Sequence, residues 1–215
     1  MPSLFGRLYK RLGARYFVFY VVFEMVSAWV VCLATVGLFT LYTETSPEEF
    51  WRVAAVAIGA VTVGVSYAIA REWRLSRPII AWVREGRPDA DALAVWRCAV
   101  TMPRRLVLAN GWRALAIAAL PVSVYATLEF DLPAYGAVIV LAGAVVAVGY
   151  AAILHFFAAE LFMRPLLEDL ASRLPSDFGG GRIGVPLRWK LLGALPLINV
   201  ITGVVASGLS TDGSA

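Results

Sequence analysis

Two ionisable residues in this chain stand deep inside long apolar runs, several residues from either end, and they are the first candidates for chemistry. Glu24 lies in the run 16–41 and His155 in the run 134–162. A carboxylate or an imidazole in a bilayer is expensive to place, so each is a site candidate by default. Glu24 is eight residues into its run, about 12 Å deep at 1.5 Å per residue. His155 is seven residues from the end of its run, about 10 Å deep. Matching depths allow a Glu24–His155 pair inside a helix bundle. Such a pair can be a proton- or ligand-sensitive switch, because histidine titrates near neutral pH. The simpler reading is a structural hydrogen bond. Arg113 is an alternative partner for Glu24.

Other chemistry is thinly supplied. One histidine, no CxxC and no carboxylate cluster argue against a metal site. A single histidine cannot give a haem two imidazole ligands. Gly179-Gly180-Gly181 has no strand before it and no Gly-Lys-Ser/Thr after it, so it is no phosphate loop. Cys32 and Cys98 fall at different levels, and no disulfide is expected. No catalytic, cofactor-binding or metal residue is read from the chain.

The elements that must position these residues are membrane helices. Hydrophobic residues make up 60% of the chain, charged residues only 16%, and the mean hydropathy is +0.75. A soluble domain carries roughly 25% charged residues. A crossing helix needs about 20 apolar residues. Five runs qualify, at 16–41, 53–70, 114–130, 134–162 and 189–209. The expected fold is all-α: a polytopic transmembrane bundle forming one domain over residues 1–215, with short cytoplasmic juxtamembrane helices.

Eighteen of the nineteen Lys and Arg residues fall in segments 1–15, 71–113 and 163–190. Arg52 is the exception. Basic flanks stay in the cytoplasm. The N-terminus is therefore expected inside a cell membrane, and the C-terminus, after five crossings, outside. The net charge of +4 and pI of 9.3 do not point to nucleic acid, because the basic residues flank apolar spans. Their natural partners are the bilayer and its anionic inner leaflet.

Local signals refine this picture. Ser46-Pro47-Glu48-Glu49 reads as a helix start. Residues 89–102 read as an amphipathic helix, most simply an extension leading into the third span. Pro121 and Pro196 should kink the third and fifth spans. Asn199 and Thr202 suit helix–helix hydrogen bonds. Small residues recur every fourth position at Ala60, Gly64 and Ala68, and at Gly143, Ala147 and Ala151. Such stripes let helices approach closely, within a bundle or across a dimer.

Two basic segments begin alike. Arg77-Pro78-Ile79-Ile80 and Arg164-Pro165-Leu166-Leu167 each carry a second proline ten residues after the first. Proline should break or kink the emerging helix and open a fresh first turn. The echo suggests a repeated unit of two spans plus a juxtamembrane helix, with the fifth span opening a third unit.

The stretch Glu160-Leu161-Phe162-Met163-Arg164-Pro165-Leu166-Leu167, followed by Gly184-Val185-Pro186-Leu187-Arg188-Trp189-Lys190-Leu191-Leu192, carries a family resemblance. It resembles the N-terminal membrane domain of actinobacterial class III adenylate cyclases. The resemblance implies six helices, then a HAMP linker, then a cytoplasmic cyclase domain that works as a dimer and uses a divalent metal with ATP. A HAMP linker typically opens with an Arg-Pro-aliphatic step like Arg77-Pro78 and Arg164-Pro165. The sixth helix, HAMP and catalytic domain match nothing in these 215 residues, so the chain looks like a C-terminally incomplete membrane part. The implied role is a membrane anchor and sensor, non-catalytic by itself, in cAMP signalling. The same bundle could precede a histidine kinase, or serve as a small transporter subunit.

Overall fold

The computed structural model describes residues 4–39 and 45–174, with scattered helical positions between 191 and 206. Among the described residues there are helices and turns and no strand. The predicted span 189–209 lies mostly outside them.

A short helix, α1 (Leu4–Leu12), turns Phe5, Leu8, Tyr9 and Leu12 inward and Arg7, Lys10 and Arg11 outward, the pattern of an amphipathic helix. Gly13, with a φ of 54°, allows the turn into α2 (Tyr16–Phe39). Next comes α3 (Pro47–Arg84). It opens on a reciprocal cap, as expected: Ser46 Oγ accepts from the Glu49 backbone N–H at 3.3 Å, and the Glu49 carboxylate accepts from the Ser46 N–H at 2.8 Å.

Helix α4 (Ala92–Ala114) does lead into the third span. It runs through a π-turn at Leu115–Ala119 into α5 (Leu120–Glu129). Pro121 follows that turn directly. Its missing N–H leaves a gap in the ladder, and the wider turn is where the irregularity is taken up. The last long helix is α6 (Ala134–Ala171).

Pro78 and Pro165 do not break their helices. Both α3 and α6 continue six residues beyond the proline, so the expected separate juxtamembrane helices are the ends of these rods. A helical proline costs about 3 kcal/mol. Downstream, Ile79, Ile80 and Trp82, and Leu166, Leu167 and Leu170, are buried in one shared core. Each burial is worth roughly 1.5–3 kcal/mol, so three per rod outweigh the proline.

The echo seen around these prolines extends through the whole fold. Helices α3 and α6 are both 38 residues long, and both place proline at the same step. A shift of 87 residues, Pro78 to Pro165, superposes the hairpin α1–α3 on the hairpin α4–α6 in sequence. Val53, Ala57, Ala60 and Val61 meet identical residues at Val140, Ala144, Ala147 and Val148. In the core, Tyr9 corresponds to Trp96, Ile79 to Leu166 and Ile80 to Leu167, all buried. The two hairpins share helix length, proline position and these core positions.

The main core sits at the basic end, where Phe162 gathers rings from Phe5, Tyr16, Phe19, Tyr20 and Phe23 at 5.0–5.7 Å. The Tyr16 hydroxyl donates to the Phe162 carbonyl at 3.1 Å. At the opposite end, Val36, Val53, Ala54, Ala57 and Ala126 form a smaller core. Arg52, the exception to the charge partition, pairs there with Glu129 at 2.7 Å and Glu48 at 3.3 Å.

The flanks are apolar and open. Val18, Val22, Val26 and Val30 on α2, and Val138 and Ile139 on α6, are among the exposed residues. Four stretches, Leu4–Phe39, Pro47–Arg84, Gly111–Glu129 and Ala134–Ala171, are long and apolar enough to cross a membrane. This is a membrane protein, and lipid is the solvent for those faces.

Candidate functional site

Between the four long helices lies a cavity of about 240 Å³. Its wall follows from helix periodicity. Positions Glu24, Ala28 and Cys32 on α2 recur every fourth residue, as do Gly64, Ala68 and Glu72 on α3 and Ala147, Ala151 and His155 on α6. Each series stays on one face of its helix. The third span contributes Gly111, Ala118, Ala119 and Val122.

The two small-residue stripes therefore face this space. Gly64, Ala68, Ala147 and Ala151 line it, while Ala60 and Gly143 lie off its wall. A Cβ on Gly64 would meet only the Ile117 side chain, at 3.7 Å, and one on Gly143 would meet open space.

The polar groups gather toward the basic end. His155 Nδ1 lies 3.2 Å from Glu24 Oε2, the pairing that their depths suggested. Ser27 Oγ lies 3.0 Å from the Glu24 carbonyl, to which it donates, and 3.1 Å from His155 Nε2. With the Ser27 proton engaged by the Glu24 carbonyl, the contact with Nε2 is a hydrogen bond in the tautomer that places a hydrogen on Nε2. Glu24 is buried, and its Oε1 has no hydrogen-bond partner. Arg113 lines the same cavity, with its guanidinium 4.6 Å from the Trp112 ring centroid.

Comparison with family models, with curated proteins and with solved structures finds no match. The site has to be read from its own chemistry.

Sequence reasoning passed over Glu72, which joins Glu24, His155 and Arg113 in the cavity. The signal was present: continuing the stripe Ala60, Gly64, Ala68 by one more step reaches it. On α6, the same step from Ala151 reaches His155. Tyr20, one turn before Glu24, completes the polar end.

The Arg-Pro residues lie elsewhere. Arg77 and Pro78 are exposed and Pro165 is buried. Arg164 is exposed and pairs with Glu168 at 3.0 Å. Nearby, Asp169 ties three segments together. It meets Arg87 at 3.1 Å and Arg173 at 3.6 Å, and it accepts from the Tyr9 hydroxyl at 3.0 Å. Arg173 also donates to Asp89 at 3.0 Å, and that bond holds its guanidinium more firmly protonated than usual. Among the described residues no group of three His, Cys, Asp or Glu side chains could hold a metal ion. The arrangement offers hydrogen bonds, charge and an apolar chamber.

Proposed function

We propose that this chain is the membrane-embedded anchor and sensor of a signalling protein, and that its output is an adenylate cyclase. The observation that carries the first half is the pair of unbroken rods. Helices α3 and α6 each run 38 residues, about 57 Å, against a hydrocarbon core of about 30 Å. They flank a cavity and continue into a shared core at the basic end. A change in how the helices stand around the cavity is thus carried out of the membrane. A ligand acts on such an equilibrium only through different affinity for two arrangements.

The cyclase half rests on the resemblance of Arg164-Pro165-Leu166-Leu167 and its flanks. On this reading the protein is multi-pass in the plasma membrane, with its N-terminus and basic end at the anionic inner leaflet and the end of residue 215 outside. Catalysis, the divalent metal and the homodimer belong to a parent protein. The test is to express the complete natural reading frame in a bacterium lacking its own cyclase and to measure cAMP. Accumulation of cAMP is expected. Autophosphorylation from ATP without cAMP would move the output to a histidine kinase, and neither activity would remove the effector reading.

A further inference from the structure

We propose that the outward face of α1 is a docking surface for acidic phospholipid headgroups at the basic end of the bundle. The helix has no acidic residue in its sequence. Arg7, Lys10 and Arg11 stand three and four residues apart, so they share one face, and all three are exposed. Arg15, just beyond the Gly13 turn, is exposed as well. Among the described residues none of these four cations pairs with a carboxylate. The acids beside them are already engaged. Glu168 pairs with Arg164 at 3.0 Å, and Asp169 with Arg87 at 3.1 Å and Arg173 at 3.6 Å. Lys10 lines the same cleft as Glu168 and Asp169 without pairing with either. Placement near a helix C-terminus explains Lys10 and Arg11. It explains neither Arg7, in the middle of the helix, nor Arg15, outside it.

Depth decides which anion these residues meet. The apolar run on α6 ends at Phe162. Phe5 packs its ring on Phe162 at 5.0 Å, and the Tyr9 hydroxyl donates to Asp169 at 3.0 Å. Helix α1 therefore lies along the stretch of α6 that follows the run, reaching about 10 Å from its end. The headgroup layer on each side of the hydrocarbon is about 5–8 Å thick. The outward cations of α1 stand at that layer. Leu4, on the same face and 61% exposed, gives the helix an apolar contact at the boundary. Basic residues on the polar face beside an apolar contact are the pattern of a helix held at a membrane surface. Negative headgroups attract such a face through charge alone.

The surface rests on the membrane reading of the chain and gives the proposed sensor a partner at headgroup level. It does not depend on which effector follows. The test uses the 215-residue chain in phosphatidylcholine vesicles with a trace of spin-labelled phosphatidylglycerol or spin-labelled phosphatidylcholine. Electron paramagnetic resonance gives the ratio of their association with the protein. At low salt a preference of at least twofold for phosphatidylglycerol is expected. It should fall toward one in 0.5 M NaCl, where the Debye length is about 4 Å. Arg7→Gln, Lys10→Gln, Arg11→Gln and Arg15→Gln combined should remove at least half of the excess. Arg74→Gln with Arg77→Gln, both exposed on α3, should remove less. If the fourfold variant does not fold, Arg7→Glu with Arg15→Glu, which leaves the last turn of α1 intact, should halve the excess on its own. A ratio of one in the parent chain would leave these cations to a soluble acidic partner and overturns the surface. So does a preference that survives 0.5 M NaCl, one untouched by the α1 variants, or an equal loss in the α3 variant. The preference without cAMP from the natural reading frame would sink the cyclase reading alone, and cAMP without the preference would sink the surface alone.

Discussion

Glu24 and His155 meet at a depth where an unpaired charge is costly. Their coupling is therefore measurable. A double-mutant cycle with Glu24→Gln and His155→Ala, read by unfolding in mixed micelles, should give about 1 kcal/mol, within the range for hydrogen bonds between membrane helices. A coupling near zero would make the contact incidental. Cys98, on α4 outside the apolar spans, behaves differently. Burial pushes its thiol up, because the thiolate is the form that loses hydration. Its alkylation by a small maleimide should be slow at pH 7.5 and keep rising with pH beyond the range where a free thiol levels off. A plateau near pH 8.5 would contradict that burial. The Glu24–His155 meeting was legible in the chain because depth in a helix is linear in residue number. Glu72 was hidden by its neighbours: Arg71 and Arg74 made its segment read as a solvated flank, and only the cavity stripe separates it from them.

Among the elements, two glycines of α3 and its turn make opposite forecasts. Gly64 corresponds to Ala151, and a methyl there meets Ile117 at an ordinary 3.7 Å. Gly64→Ala should stabilise the bundle by roughly 0.5–1 kcal/mol, the usual gain for replacing a helical glycine. Gly86 is the opposite case. Its φ of 82° suits the turn after α3, so Gly86→Ala should destabilise. Thermal unfolding of both variants checks the pair, and the same sign for both would refute the argument. Only the Arg-Pro steps of this repeat were visible beforehand. Cores and lipid accept exchanges of similar apolar side chains, so Ile79 and Leu166, or Tyr9 and Trp96, keep their places without keeping their identity. The proline signal itself was over-read. A missing N–H is a local penalty, and the buried residues that outweigh it come from helices distant in sequence.

At the scale of the whole molecule, orientation is the property to test. With Cys32 and Cys98 replaced by alanine, Glu48→Cys should react with an impermeant maleimide on intact cells, and Arg164→Cys only after permeabilisation. The reverse pattern would invert the topology. Both side chains are exposed, so reactivity reports sidedness and not burial. The two rods set what such a molecule can transmit. Each is about 27 Å longer than the hydrocarbon slab is thick, and the parts beyond the spans 53–70 and 134–162 are roughly 21 and 13 Å, so a 5° change in tilt displaces a tip by about 1–2 Å. The ends share one core, but they are bridged by α2 and α4 and do not pack directly on each other. The bundle is thus a linkage rather than a hinge: whatever one rod does at the cavity can reach the other only through the helices that stand between them.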